Sequence, residues 1–473
     1  RTDLVDADTV EIAELEVLEE VEGTTLDGWP IVPVSAVTGH GLDELREQIV
    51  AALDAAGSAH EAPARMWVDR SFVMSGAGTI ATGTVMDGAF RSGDDAELLP
   101  SGQRVKVRAV QHHGGAVDVV RAGDRAAISF TGSVDRLERG DLLAAPGSMA
   151  VTTRMLVTLS PTRSFEEIPV RGAFHLHVGT SSHPVRLRAV KDSQGFVVTS
   201  DSPIPSTIGD RIVLRDSGRK AVVGGGRVLD PDPVIRPQAS DVSALAAALD
   251  SSADDRADAL LRVHGTLTTS HLGRVVPGGV PSHGRAIGDR WISDPVAESL
   301  VATMRSLITE YQDAYPSRPG MPKAELASRL EHPPSVVETL AADDPDLSET
   351  DGAIHTAGFT NELSSEAEAE WASVRADLES SFDVPRLSAI ALDDETLHHL
   401  LRRGDLVRID RDLAFTDRQA AEITERVAEL DEGFTVADFR DHFGMARRQA
   451  VPALEWLDSI GRTRRSGDGR SVR

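Results

Sequence analysis

Val68-Asp69-Arg70-Ser71-Phe72-Val73-Met74-Ser75-Gly76-Ala77-Gly78-Thr79-Ile80-Ala81-Thr82-Gly83-Thr84-Val85 decides the fold of the first half of this chain. From Gly78 to Val85 the residues are β-branched and punctuated by glycine, the composition of a barrel strand. Working outward, Arg104-Val105-Lys106-Val107-Arg108 alternates strictly, as do Ala126, Ile128 and Phe130, and such alternation predicts half-buried strands. Turn residues recur at Ser92-Gly93-Asp94, Pro100-Ser101-Gly102 and Arg139-Gly140-Asp141. Residues 64–148 therefore read as a small antiparallel barrel. Strand patterns continue at Val151–Leu159, Ala173–Val178, Val185–Val190 and Arg211–Leu214, with Gly224-Gly225-Gly226 as a tight backbone site before the last strand, and 149–231 reads as a second barrel.

On the N-terminal side, residues 1–60 look α/β. A helix is expected over about Val10–Glu20, a strand at Ile31–Val34, and a second helix from Leu42 through Leu45, Ile49 and Leu53, which is helical spacing. On the C-terminal side, Asp230–Pro237 is a proline-rich boundary. Beyond it four units are expected, at 238–296, 297–361, 362–415 and 416–473. Each has two or three helices and then short strands: Arg290–Ser293, His355–Phe359, Leu406–Ile409 with Leu413–Phe415, and Thr463–Val472. Helices followed by a β-hairpin is the winged-helix pattern. The expected fold is multidomain: a partial α/β domain, two antiparallel β-barrels, then an array of α+β winged-helix modules.

The chain has 473 residues, of which 40% are hydrophobic, 26% charged and only 4% aromatic, so aliphatic side chains must fill several cores. With no cysteine, a disulfide, a thiolate metal site and a thiol nucleophile are excluded. No apolar run of about 18 residues predicts a membrane span. The start, Arg1-Thr2-Asp3, reads as a cut inside a longer protein. His112, His113, His175 and His177 have no carboxylate at a spacing that completes a metal site, so no metal is expected, and no catalytic residue stands out. The alternating Arg104, Lys106 and Arg108 read as a solvated barrel face, with contact to RNA phosphates as the rival reading.

The formal net charge is −26, yet the last forty residues reverse it, with eight arginines against five carboxylates. Phe434–Phe443 is an amphipathic helix with Thr435 as N-cap, and Gly444 ends it. A second helix begins around Met445, which places Arg447 and Arg448 at its start, while Arg464, Arg465 and Arg470 flank a hairpin tip, the wing. Helix start and wing lie close together in a winged helix, so these five arginines are expected to converge on phosphate.

The opening stretch resembles the start of the second domain of translational GTPases, the family of elongation factor Tu; Gly88, Gly93-Asp94 and Arg139–Ala144 continue the likeness. Pro100-Ser101-Gly102, Gln111-His112-His113-Gly114 and Ala145-Pro146-Gly147-Ser148 point to its selenocysteine-specific branch, the SelB type, and His175–Thr180 with Gly225–Pro231 resemble that branch's third domain. The resemblance implies that 1–60 is the C-terminal part of a GTPase domain, with Asp3, Ser35 and Ala36 at its guanine-reading end. Arg1 stands where that family has lysine, and no G-x-x-x-x-G-K-[S/T] phosphate loop occurs. GTP with Mg²⁺ is then the cofactor of the full-length protein and is not expected to bind this fragment tightly.

The same resemblance implies an aminoacyl-tRNA pocket at Asp69, Arg70 and Arg125, where two guanidiniums would favour a selenolate over an uncharged serine hydroxyl. It also implies that the last winged helix holds an mRNA hairpin, although the family's Ser-Arg-Lys-Tyr appears here as Ala446-Arg447-Arg448-Gln449. The expected function is GTP-dependent delivery of selenocysteinyl-tRNA to the ribosome at UGA codons, guided by a selenoprotein mRNA stem-loop, by a cytoplasmic monomer with no membrane contact. The rivals are a general tRNA-delivering or initiation-type translational GTPase and a winged-helix DNA-binding regulator.

Overall fold

The computed structural model describes residues 1–55, 62–76, 78–467 and 469–473. The chain forms two compact units: Arg1–Leu260 together with His271–Val280, and Leu261–Ser270 together with Pro281–Arg473.

The first unit begins with a single 3₁₀ turn at Thr2–Leu4, then helix α1 (Ala7–Val21) and helix α2 (Leu42–Ala55). Asp6 caps α1 by accepting the Thr9 N–H at 2.9 Å, which satisfies one of the orphan donors of the first turn. The strand expected at Ile31–Val34 does not form. An apolar run becomes a strand only when a ladder satisfies its backbone, and among the described residues the one backbone bond it makes is from Thr2 N–H to the Val34 carbonyl, at 3.4 Å.

The first barrel contains β1 (Arg65–Met74), β2 (Gly78–Asp87), β3 (Ala89–Arg91), β4 (Asp95–Leu99), β5 (Gln103–His112), β6 (Gly115–Val117), β7 (Val119–Arg121), β8 (Arg125–Thr131) and β9 (Leu142–Ala144). The sheet runs β4-β9-β1-β2-β8-β5-β6, and pairing of β4 with β5 closes it. Along β5 the expected alternation holds, with Val105 and Val107 buried and Arg104, Lys106 and Arg108 exposed. Met66, Val85, Ile128 and Phe130 fill the interior.

The second barrel is closed in the order β10-β13-β12-β11-β14-β15. Its strands are β10 (Ala150–Pro161), β11 (Phe174–Val178), β12 (Ser181–Ala189), β13 (Gly195–Ser206), β14 (Arg211–Asp216) and β15 (Ala221–Asp230). The glycines at 224–226 lie inside β15, not before it. There they allow a close approach to β10: a Cβ on Gly226 would run into the Thr158 backbone, whereas one on Gly225 would only touch the Ile212 carbonyl at 3.5 Å. Gly226→Ala is thus expected to destabilise the barrel by about 3 kcal/mol and Gly225→Ala by less than about 1 kcal/mol, read from denaturant midpoints. Equal effects would contradict the close-approach account.

The two barrels of this unit are locked together. Trp67 leaves β1 to join the core of the second barrel and is only 5% exposed. Gly179, at φ +55°, leaves room for its indole, where a side chain would collide. Thr180 Oγ1 donates to the Val68 carbonyl at 2.7 Å, and Arg65 bridges Asp87 of the first barrel and Asp210 of the second.

The second unit is helical with small sheets. Helix Asp294–Ala314 packs with Lys323–Leu330, Pro334–Asp343 and a three-stranded sheet around Met304, Ile308 and Leu340. Its hairpin is Leu347–Thr350 with Ala353–Thr356, so strand structure ends before the expected His355–Phe359 does. Two further hairpins follow, Leu406–Asp410 with Leu413–Thr416 and Thr463–Ser466 with Gly469–Val472. One hydrophobic core runs through both of the last two modules, from Leu363 and Trp371 through Phe415 to Phe439 and Leu454, so these modules fold as one packed body.

Candidate functional site

Three neighbouring strands of the first barrel bring Asp69, Arg70 and Arg125 together. The ladder places Arg70 opposite Thr82 and Thr84 opposite Arg125, and the β1–β2 register shifts between Val68 and Arg70. Asp69 therefore sits at a bulge, a device that re-aims a side chain. Its Oδ2 meets Arg125 Nη1 at 2.5 Å, its Oδ1 accepts from Thr82 Oγ1 at 2.7 Å, and Arg70 Nε stands 3.8 Å away. Burial pushes the Asp69 carboxyl up. Hydrogen bonds from Arg125 and Thr82, then the charges of Arg125 and Arg70, outweigh that and hold it below the usual carboxylate value. Asp69 is largely covered, while Arg125 and Arg70 stay more than half exposed. One carboxylate between two guanidiniums leaves a net positive, accessible cluster, which attracts anions.

Two contributors escaped the sequence reading. Thr82 looks like any barrel threonine until the β1–β2 register is known. His112 places Nδ1 3.1 Å from the Arg125 carbonyl and Nε2 3.9 Å from Asp124, which steadies the strand that carries Arg125.

At the N-terminus, the structure brings Asp3 and Ser35 together across 32 residues. Ser35 is buried, its Oγ donates to Asp3 Oδ1 at 2.7 Å, and the same oxygen lies 3.3 Å from the N–H groups of Val37 and Thr38. Ala36 is exposed beside them. The arrangement sets a carboxylate next to a tight backbone turn. The residues present supply no phosphate loop and no Mg²⁺ hydroxyl ligand, so no hydrolytic step follows from them.

The last module sets five arginines in three situations. Thr435 caps helix Val436–Phe443 in a capping box with Asp438, and Gly444 ends it at φ +64°. The next helix, Arg447–Ser459, starts differently: its N-cap, Ala446, makes no side-chain cap, and no acid lies in its first turn. Its first N–H groups and dipole are therefore open to an anion, with Arg447 and Arg448 exposed beside them. Arg464 and Arg465 are exposed on the wing, and neither they nor Arg447 has a carboxylate partner among the described residues. Arg448 Nη2 reaches Asp383 Oδ1 at 3.1 Å. Arg470 is 8% exposed and pairs with Asp458 at 3.0 Å, so its charge is spent inside the module, and its backbone bonds with Gly433 and Phe434 tie the wing down.

Gln449, which stands where the family has tyrosine, points inward. It is fully buried, and its Nε2 donates to Asp383 Oδ1 at 2.6 Å and to the Val384 carbonyl at 3.0 Å. The position is a strut to the preceding module and not part of the exposed surface.

Comparison with known proteins fits this geometry. A family profile described as elongation factor Tu domain 2 matches 78–144, one described as the beta-barrel domain of selenocysteine-specific elongation factor matches 152–234, and one described as the winged helix of elongation factor SelB matches 425–472. A barrel of the elongation factor Tu type joined to a second closed barrel is an architecture of translational GTPases. A selenocysteine-specific elongation factor of Desulfomicrobium baculatum is 30% identical over the whole chain and 82% of its own length. That of Escherichia coli is 26% identical, again over the whole chain and 80% of its own length. A crystal structure of a bacterial selenocysteine-specific elongation factor superposes over the whole chain and 80% of that chain, with a TM-score of 0.71 at 23% identity. The chain belongs to the family of selenocysteine-specific elongation factors. Among the described residues no helix is long and apolar enough to cross a membrane.

Proposed function

We propose that this protein delivers selenocysteinyl-tRNA to the ribosome at UGA codons while its last winged helix holds a stem-loop of the selenoprotein message. In this reading Asp69, Arg70 and Arg125 receive the selenolate, and Asp3, Ser35 and Ala36 face the guanine of GTP. The family uses GTP; phosphate and Mg²⁺ binding would be supplied by residues other than those described here. Arg447, Arg464, Arg465 and, once it leaves Asp383, Arg448 contact hairpin phosphates, and Arg470 braces the wing.

The observation that carries the message-binding part is the uncapped, acid-free start of helix Arg447–Ser459 beside Arg447, which has no carboxylate partner among the described residues, in a protein whose formal net charge is −26. Titration of the whole chain against a selenoprotein mRNA hairpin and against duplex DNA, at two salt concentrations, tests it. Tight hairpin binding with DNA at least about a hundredfold weaker is expected. Equal and steeply salt-dependent binding to both would reduce the module to a basic surface and favour the DNA-binding rival.

A further inference from the structure

The outer face of the second barrel carries a groove of about 840 Å³ whose charged lining is wholly cationic: Arg154, Arg186, Arg188, Lys191 and Arg236. Among the described residues the lining contains no carboxylate, although acidic residues outnumber basic ones by 75 to 49 in the chain. Register builds the floor. Arg186 on β12 and Arg154 on β10 both lie opposite Thr199 of the intervening strand β13, so one row crosses three strands.

Its cations have different duties. Arg154 spends its guanidinium on the carbonyls of Pro233, Val234 and Ile235, at 2.8, 3.0 and 2.7 Å. That clamp fixes the chain leaving the barrel and stands Arg236 at the groove. Arg186 is held by Asp201, at 2.7 Å. Arg188 and Arg236 are exposed with no carboxylate partner among the described residues, and Lys191 has only Asp192 at 3.9 Å. Arg186 and Arg188 point the same way along the strand, about 6.6 Å apart, a spacing comparable to that of successive phosphates on one nucleic-acid strand. Ile235, 83% exposed, offers an apolar contact beside them.

We infer that this groove is a docking surface for the phosphodiester backbone of folded RNA, separate from both the aminoacyl pocket and the last winged helix. Cations aligned along a track, of which Arg188 and Arg236 have no carboxylate partner among the described residues, suit a polyanion better than a small ligand. The inference does not rest on the message-binding proposal.

The test uses the whole chain carrying Arg447→Ala/Arg448→Ala, which weakens any RNA contact of the last module, and a fluorescein-labelled RNA duplex as probe. Arg188→Ala/Lys191→Ala/Arg236→Ala is expected to weaken duplex binding at least about tenfold and to flatten the log K against log salt slope by about two to three. Arg91→Ala/Arg121→Ala/Arg139→Ala makes the same charge change on exposed sites of the first barrel and is expected to cost less than about twofold. Equal losses in both triple variants, or no loss in the groove variant, would overturn the inference. Repeating the comparison with tRNA and with ribosomes identifies the source: a loss confined to one of them assigns the backbone to that RNA.

Discussion

Arg125→Ala is expected to cut the preference for selenocysteinyl-tRNA over seryl-tRNA by about a hundredfold or more, measured by competition between the two charged forms of one tRNA. The argument is electrostatic. Arg125 is the closest partner of Asp69, at 2.5 Å, and Arg70 is 3.8 Å away. Without Arg125 the pocket holds one carboxylate and one distant guanidinium. Its net charge falls from positive to zero, and Asp69 then opposes an incoming selenolate. A charge-assisted hydrogen bond is worth roughly 1.5–3 kcal/mol, and leaving a partly covered charge unpaired adds to the cost. Serine, uncharged, loses little, so the change appears in the ratio. Arg125→Lys keeps the charge but not the fork and should retain only part of the preference. An unchanged ratio in Arg125→Ala would remove the pocket from the account.

The pH dependence has a definite sign. Asp69 is held below its ordinary value, so its ion pair is fully present above the unfolded carboxylate value of about 3.9 and is lost only as pH falls through the lower folded value. Between about pH 5 and 8 the charge from Asp69 is therefore constant. A decline in preference on acidification within that window reports protonation of the selenol, and Asp69→Asn should leave its midpoint unmoved.

The second large effect is expected at the last module. Arg447→Ala/Arg448→Ala in the whole chain should weaken hairpin binding by about a hundredfold and flatten its salt slope by about one to two. Arg447 should account for most of this, because Arg448 must first give up Asp383, at 3.1 Å. Asp383→Asn frees Arg448 but keeps a carbonyl for Gln449, so it is expected to tighten hairpin binding by a few-fold. Weaker binding in Asp383→Asn would mean that the contact to Asp383 positions the site and does not compete with it.

What could be read from sequence was local or periodic. The alternation from Arg104 to Arg108 marks β5 because inward and outward neighbours differ at every step. Thr435 and Gly444 mark a helix by the backbone chemistry of its two ends. The misses were non-local. Ile31–Val34 has a strand's composition, but a strand needs a partner that only the fold supplies. β13, with Pro203 and Pro205 near its end, is absent from the strands expected from sequence, yet it pairs with both β10 and β12. Thr82 joined Asp69 through register, and Gln449 joined Asp383 across 66 residues. Arg470 read as one more wing cation because its partner Asp458 lies on a helix twelve residues earlier. Charge patterns showed where anions would be drawn, and ladder register and packing decided which arginines are free to meet them.

The most direct test of the central claim is whether one protein holds both RNAs at once. A fluorescein-labelled selenoprotein hairpin, bound to the whole chain, is titrated with selenocysteinyl-tRNA while hairpin anisotropy and complex mass are followed by size exclusion with light scattering. The account predicts a complex of one chain, one hairpin and one tRNA, with hairpin affinity kept or raised. Release of the hairpin as tRNA binds would show a single shared RNA site and contradict the adaptor.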